Sequence, residues 1–445
     1  MATMTRRTFL ASVGSIGAGA VVGTPSWDKI EGRGDMGYKT SWYQFTEHPN
    51  SDSCWSLSVG PDGRIYAAAC CEHLPGETVK VVRYNEKTDS LDYLFDVDKM
   101  VDDPRDSGRA THCKIHYSFV PSLSDGIMYM ATHLSGPPID LPMYSPWYFW
   151  QNEERCFRGS ALLAFDTRTD KVLWWDTLIP KEGCRCLAHD EERGTLYAVS
   201  YPRDHLIAYD LKSRRRRDLG RIGSVNAQAL FMDSKHRVWT TSDYGRLVRY
   251  DPEKDRIETS PYVLAHNAEF QTGWHSVFYD VAGSPDKQCV YAVTWIANPY
   301  LMRIWPEDGE WGRVEDLGPA TQKRDLTLPI DTFLDHCGGL TFAGDGHVYF
   351  VASRWKDPVY NPTPAEHKDR EGVVWRLNPK TLEREEVALL DRPDNFAQYV
   401  SRGAVDHNGD LFFGHVGAIP VGIFKVHMPA DRKRKNAHLP IRMWG

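Results

Sequence analysis

From about residue 50 onward the chain is written in short runs of alternating apolar and polar residues, each closed by a turn signal. The order of punctuation repeats. An apolar strand is followed by a turn such as Asp-Gly, then an aromatic-rich strand. A third strand comes next, ending near an aromatic residue and Asp, and then a more polar fourth. The first copy runs through Trp55–Val59, Pro61-Asp62-Gly63 with Tyr66, and Val79–Tyr84. The second uses Lys114–Phe119, Asp125-Gly126 with Tyr129, and Ala161–Asp166, and the third Leu187, Gly194–Tyr197 and Leu206–Asp210. Further copies pass through Ala229–Asp233 and Arg237–Trp239, through Ser276–Asp280 and Cys289–Tyr291, and through Gly339–Phe342 and Asp345-Gly346. The last begins at Gly403 and reaches Gly422–Val426, where the chain runs out before a fourth strand. An orphan strand of the right kind lies at Ser41–Phe45.

Seven such copies, with the orphan strand lent to the last one, predict an all-β, seven-bladed β-propeller whose closure removes an exposed edge. A pair of β-sandwiches does not predict a period of roughly 40–60 residues with the same punctuation each time. No helical periodicity of useful length occurs. The propeller is expected over residues 37–430, with a C-terminal tail over 431–445.

Composition adds to this picture at two points. The 35 Gly, 27 Pro and abundant aromatics suit many short strands joined by turns. A net charge of −7 gives no basic field for nucleic acid, so a polyanionic ligand needs a local basic site. Thr5-Arg6-Arg7-Thr8-Phe9-Leu10 heads an apolar, small-residue stretch to Val22, with Ala18-Gly19-Ala20 as a cleavage site. Residues 1–22 therefore read as a twin-arginine export signal, too short and glycine-rich to stay in a membrane. The expected location is periplasmic or secreted, as a monomer. Nine cysteines, including Cys70-Cys71 and Cys184-x-Cys186, match no zinc-ribbon spacing and read as buried thiols.

Two copies carry long insertions between their second and third strands, at about Leu134–Gly159 and Trp355–Gly372. The first holds Met143–Trp150, an aromatic run including Trp147 that reads equally as a sugar platform or as a self-packed loop. In a propeller these connections share one face with the links between blades. Residues expected on that face are Thr132-His133, Ser200-Tyr201, His205, Asp243-Tyr244, Trp295, Arg354-Trp355 and His415. First-strand positions add His112, His116, Arg221, His275 and His336-Cys337. Each alone has a structural explanation, and Arg214–Arg217 reads as a solvated turn. As a set, imidazoles, a phenol and a guanidinium suit removal of a proton next to a carboxylate. No Ser-His-Asp triad, P-loop or dinucleotide motif is visible, and no acidic pair stands out on this face.

Lys114–Phe119 with Tyr129–His133, then Tyr197–Pro202, Asp218–Arg221 and Thr272–Ser276, resemble the seven-bladed propeller polysaccharide lyases that cleave ulvan. The resemblance covers about residues 40–430. It implies β-elimination at a uronic acid in an anionic, sulfated polysaccharide, leaving unsaturated uronate ends, with no organic cofactor. It assigns catalysis to His116, His133, Tyr201 and Arg221. His112, Arg217, Tyr244, His275 and Trp147 would bind substrate, with Arg217 a rival for the arginine and His112 for the first histidine. It also implies a structural zinc or calcium ion, for which His336 and Cys337 are the best ligand pair. Two other readings compete. One is a non-catalytic periplasmic propeller that binds glycan or protein. The other is a metal-assisted hydrolase or lactonase, which needs channel-facing carboxylates that the pattern does not supply.

Overall fold

The computed structural model describes residues 29–31, 36–72, 74, 76–134, 150–223, 228–242, 245–264, 277–294, 299–320, 337–355, 370–390, 399–416 and 420–435. The turn chemistry explains why the repeat is punctuated as it is. At Asp62-Gly63, Asp125-Gly126 and Asp345-Gly346 the glycine takes a positive φ of 76–78°. The Asp carboxylate then accepts a hydrogen bond from a tyrosine hydroxyl four residues later. Tyr66 donates to Asp62 (2.8 Å), Tyr129 to Asp125 (3.4 Å) and Tyr349 to Asp345 (2.9 Å). Each turn is thereby pinned to the strand that follows it.

β1 (Lys29–Glu31) and β2 (Lys39–Gln44) precede a four-stranded antiparallel sheet of β3 (Leu57–Val59), β4 (Ile65–Ala69), β5 (Lys80–Asn85) and β6 (Ser90–Asp96). The next unit is β7 (Lys114–Ser122), β8 (Ile127–His133), β9 (Gly159–Asp166) and β10 (Lys171–Pro180). It is followed by β11 (Gly183–Asp190), β12 (Thr195–Tyr201), β13 (His205–Asp210) and β14 (Arg215–Arg221). These two units fuse into one eight-stranded sheet, because β7 and β11 pair in parallel at Tyr117 and Cys186. β15 (Phe231–Met232), β16 (Val238–Thr241), β17 (Arg246–Asp251) and β18 (Arg256–Val263) form another sheet. Then come β19 (Phe278–Gly283), β20 (Val290–Thr294), β21 (Tyr300–Trp305) and β22 (Arg313–Pro319). β23 (Cys337–Phe342), β24 (Val348–Trp355), β25 (Arg370–Leu377) and β26 (Arg384–Leu390) make the sheet after that. The last holds β27 (Tyr399–Val405), β28 (Leu411–Val416) and β29 (Gly422–His427), in the order β1-β2-β29-β28-β27.

First strands are buried and fourth strands face solvent. All residues of β7, β8 and β9 are buried, whereas Arg215–Asp218 at the start of β14 are exposed. β3, β7, β11, β15, β19, β23 and β27 together line one cavity of about 160 Å3. Across it Arg402 of β27 pairs with the fully buried Asp280 of β19, which also accepts the Leu340 N–H at 2.8 Å. Beside this cavity one apolar core draws Tyr117, Val199, Val248, Val293 and Phe350 from successive four-stranded units. All nine cysteines are buried and free of disulfides.

Candidate active site

β7 begins and β8 ends on the same face of their sheet, with Lys114 opposite His133. An irregularity in the register between Ile115 and Phe119 lies over His116, the place where a bulge re-aims side chains. The His116 and His133 rings stand 5.5 Å apart at 70°. β11 enters directly behind them. A Cβ at Gly183 would lie 2.3 Å from His133 Nδ1, so only glycine lets the strand pass this close.

His116 Nδ1 lies 2.8 Å from the carbonyl of Arg185. A carbonyl only accepts, so Nδ1 carries the proton and Nε2 holds the lone pair. Arg185 Nη1 faces that Nε2 at 3.5 Å. Trp55 stacks on the other side of the ring at 5.0 Å and 21°. Glu72 bridges the support, accepting from Trp55 Nε1 and from Lys114 Nζ at 2.8 Å each. Lys114 Nζ also sits 5.0 Å over the Trp55 ring.

Both histidines are held neutral, with pKa values well below the ordinary 6.5. Burial is the main cause for both. The cations Arg185 and Lys114 then act on His116, and Lys114 and Arg185 on His133. His133 Nδ1 has no hydrogen-bond partner among the described residues. Tyr201, the last residue of β12, meets the edge of His133 at 4.7 Å and 75°. Its ring lies 4.3 Å under the Arg185 guanidinium. Tyr201 is partly exposed while the two histidines are buried.

His116, His133 and Tyr201 therefore come together, and the guanidinium beside them belongs to Arg185. Arg221 does not join them. It lies at the exposed end of β14, paired with His205 and two strands out from β12. The sequence reading chose it because the Asp218–Arg221 motif matched, whereas proximity here is set by the β7–β11 pairing. Arg217 is likewise committed elsewhere, to Asp255 at 2.6 Å and to the Tyr250 hydroxyl at 2.7 Å. His112 is buried in a structural role. Its Nδ1 contacts Thr132 Oγ1 at 2.9 Å, its Nε2 lies 3.3 Å from Asp103, and its ring packs on Phe157. His205 pairs with Asp218 at 2.8 Å, and the His415 ring packs on Phe424 at 5.3 Å.

Trp147, Tyr244, His275, His336 and the export signal at residues 1–22 lie outside the described residues. Cys337 opens β23 opposite Ala352 and is buried in the apolar core. Among the described residues no three His, Cys, Asp or Glu side chains gather closely enough to hold a metal. Arg185, Lys114 and Trp55 are the cluster members that sequence reasoning missed. Arg185 lies next to His116 where the register of β11 is irregular between Cys184 and Cys186, so no regular alternation marked it in the sequence.

No family model matches this chain, and no curated protein matches it. Among solved structures, the extracellular domain of a one-component system from B. thetaiotaomicron is similar with a TM-score of 0.53 at 13% identity. That match covers 85% of this chain and 39% of the other, so this chain spans about two fifths of that protein's length. The WD40 repeats of RRP9 are similar with a TM-score of 0.50 at 10% identity, covering 86% of this chain and 95% of theirs. These likenesses show the fold: all-β and propeller-like. Among the described residues no helix is long and apolar enough to cross a membrane.

Proposed function

We propose that this chain is an exported polysaccharide lyase on a seven-bladed propeller, cleaving a uronate-containing, sulfated polysaccharide of the ulvan type by β-elimination. Two features support the ring: the cavity lined by every first strand, and the pairing of β2 with β29 from Lys39↔His427 to Gln44↔Gly422. Export rests on the twin-arginine reading of residues 1–22, and one structural neighbour is itself an extracellular domain.

The chemistry rests on one observation, the convergence of two neutral histidines, a tyrosine and Arg185 where β7, β8, β11 and β12 meet. In the proposed reaction a uronate carboxylate docks against Arg185, whose charge stabilises the carbanion that forms beside it. The neutral His133 imidazole takes the C5 proton, either directly or through the Tyr201 hydroxyl, which passes its own proton to His133 as it receives the new one. The C5–H electrons form the C4–C5 double bond, the C4–O bond breaks, and the leaving oxygen takes a proton from the cluster. Binding the carboxylate offsets the Arg185 charge that helps depress both histidines, so their basicity rises only when substrate is present. No step is assigned to a metal.

Incubation with ulvan or another uronate polymer should raise absorbance in the ultraviolet band of a conjugated enoate. His133→Ala or Tyr201→Phe should abolish the rise. No new absorbance on any uronate polymer would sink the proposal. The full burial of both histidines also suits a non-catalytic glycan-binding propeller, which the same assay would reveal as retention without turnover.

A further inference from the structure

A second cluster lies beside Tyr201 on the same face, and none of its members takes part in the proposed reaction. Arg203 sits in the turn between β12 and β13, two residues beyond Tyr201. Glu182, just before β11, is 1% exposed. It accepts hydrogen bonds from Arg203 Nε at 2.6 Å and from Arg203 Nη2, and its other oxygen receives the Arg203 backbone N–H at 3.4 Å. The guanidinium side chain stays 49% exposed. It stands 5.7 Å over the half-buried ring of Trp150, the last residue of the aromatic run in the first insertion. Lys181 ties that residue down, donating to the Trp150 carbonyl at 3.5 Å and to Glu153.

A buried carboxylate that grips one side of a guanidinium fixes the plane of the fork and leaves the other side aimed outward. An arginine so held needs little ordering to take an anion. The tryptophan supplies the flat apolar surface on which the C–H face of a pyranose ring packs. From this geometry we propose that Trp150 and Arg203, anchored by Glu182, form a subsite for an acidic sugar residue adjoining the one at Tyr201. The subsite rests on the glycan-active reading above, but it needs binding only and not elimination. It would make the chain prefer oligomers over single acidic sugars and acidic polymers over neutral ones.

Affinity electrophoresis of the full chain carrying Tyr201→Phe, which removes turnover, tests this directly. Polygalacturonate should retard it, dextran should not, and dextran sulfate tells whether a sulfate serves as well as a carboxylate. Adding Arg203→Gln or Trp150→Ala should weaken retardation about tenfold, the effect of losing one good contact. Trp150→Phe, which keeps a flat ring, should restore most of it, separating lost stacking from a misfolded loop. If Arg203→Gln and Trp150→Ala bind as the parent does, or if no acidic polymer binds, the subsite is overturned. If binding depends on both residues while the unsubstituted chain gives no new absorbance, the subsite stands and the lyase reading falls. Turnover that is indifferent to both residues removes the subsite alone.

Discussion

At the scale of single residues, the site keeps two imidazoles uncharged next to the guanidinium on which the proposed reaction docks a carboxylate. Burial does most of it, and the Arg185 and Lys114 charges push the same way. Arg185 therefore has two effects that a single substitution separates. Arg185→Met should cut turnover by about two to three orders of magnitude, the loss expected when one donor to a developing oxyanion is removed. It should also raise the pKa of His116 and His133, because one depressing charge is gone. Arg221→Met should leave the rate within about twofold, since surface changes away from a site are usually near neutral. Initial rates and a histidine NMR titration measure the two effects, and an Arg221 variant that loses activity while Arg185→Met keeps it would reverse the assignment. His116, His133 and Tyr201 were legible in the sequence because each falls at the end or beginning of a strand in a repeated frame. Arg185 was not. Its neighbour is set by a parallel pairing between two units, and Arg221 drew attention because the Asp218–Arg221 motif matched.

At the scale of elements, the most exacting contact is where β2 lies against β29. Gly422 faces Gln44, and a Cβ there would come within 1.8 Å of the Tyr43 carbonyl oxygen. Backbone on both sides leaves no flexible atom to yield. Gly422→Ala should therefore loosen this pairing at a cost of about 2 kcal/mol, in the range of substitutions that force a backbone shift. Hydrogen exchange should then speed up at Lys39–Gln44 and Gly422–His427 and stay unchanged in β15–β18. Uniform protection across both regions would mean the close approach is relieved at no cost. The strand at Ser41–Phe45 could be picked out of the sequence because it had no partner nearby and the last copy lacked one. β1 could not, since three residues carry too little pattern to register. Nor could the fusion of the second and third units, which depends on β7 meeting β11 in parallel at Tyr117 and Cys186. Local alternation marks strands well, but contacts between distant strands leave no local trace.

At the scale of the whole molecule, the histidines make a shared demand on solvent pH. His48, His116, His133 and His189 are all depressed below 6.5, each with burial as the leading cause. In the unfolded chain these rings titrate near 6.5, so below that value the unfolded state binds more protons than the folded one. Their contribution is thus complete above pH 6.5 and is lost as the pH falls through the lower folded values. Buried Asp98, Asp280 and Asp406 are shifted upward and work in the opposite sense, favouring the fold as they gain protons on the way down towards 3.8. Salt-bridged carboxylates such as Glu258, lowered to about 2, add to the loss only below its ordinary 4.5. Between the histidines and the lowered carboxylates such as Glu258, the two groups that weaken the fold on acidification, the histidine window is therefore met first. Tm should be nearly level above pH 6.5 and decline from there towards pH 5. His189 lies far from Tyr201, its ring against Tyr129 and its Nδ1 3.4 Å from the Pro121 carbonyl, which makes it a clean probe. His189→Gln should flatten that decline by removing one of the four titrating rings, whatever it does to Tm at pH 8. Melting curves of both proteins across this range decide the matter: a decline of equal slope in the two would remove the buried histidines as its cause.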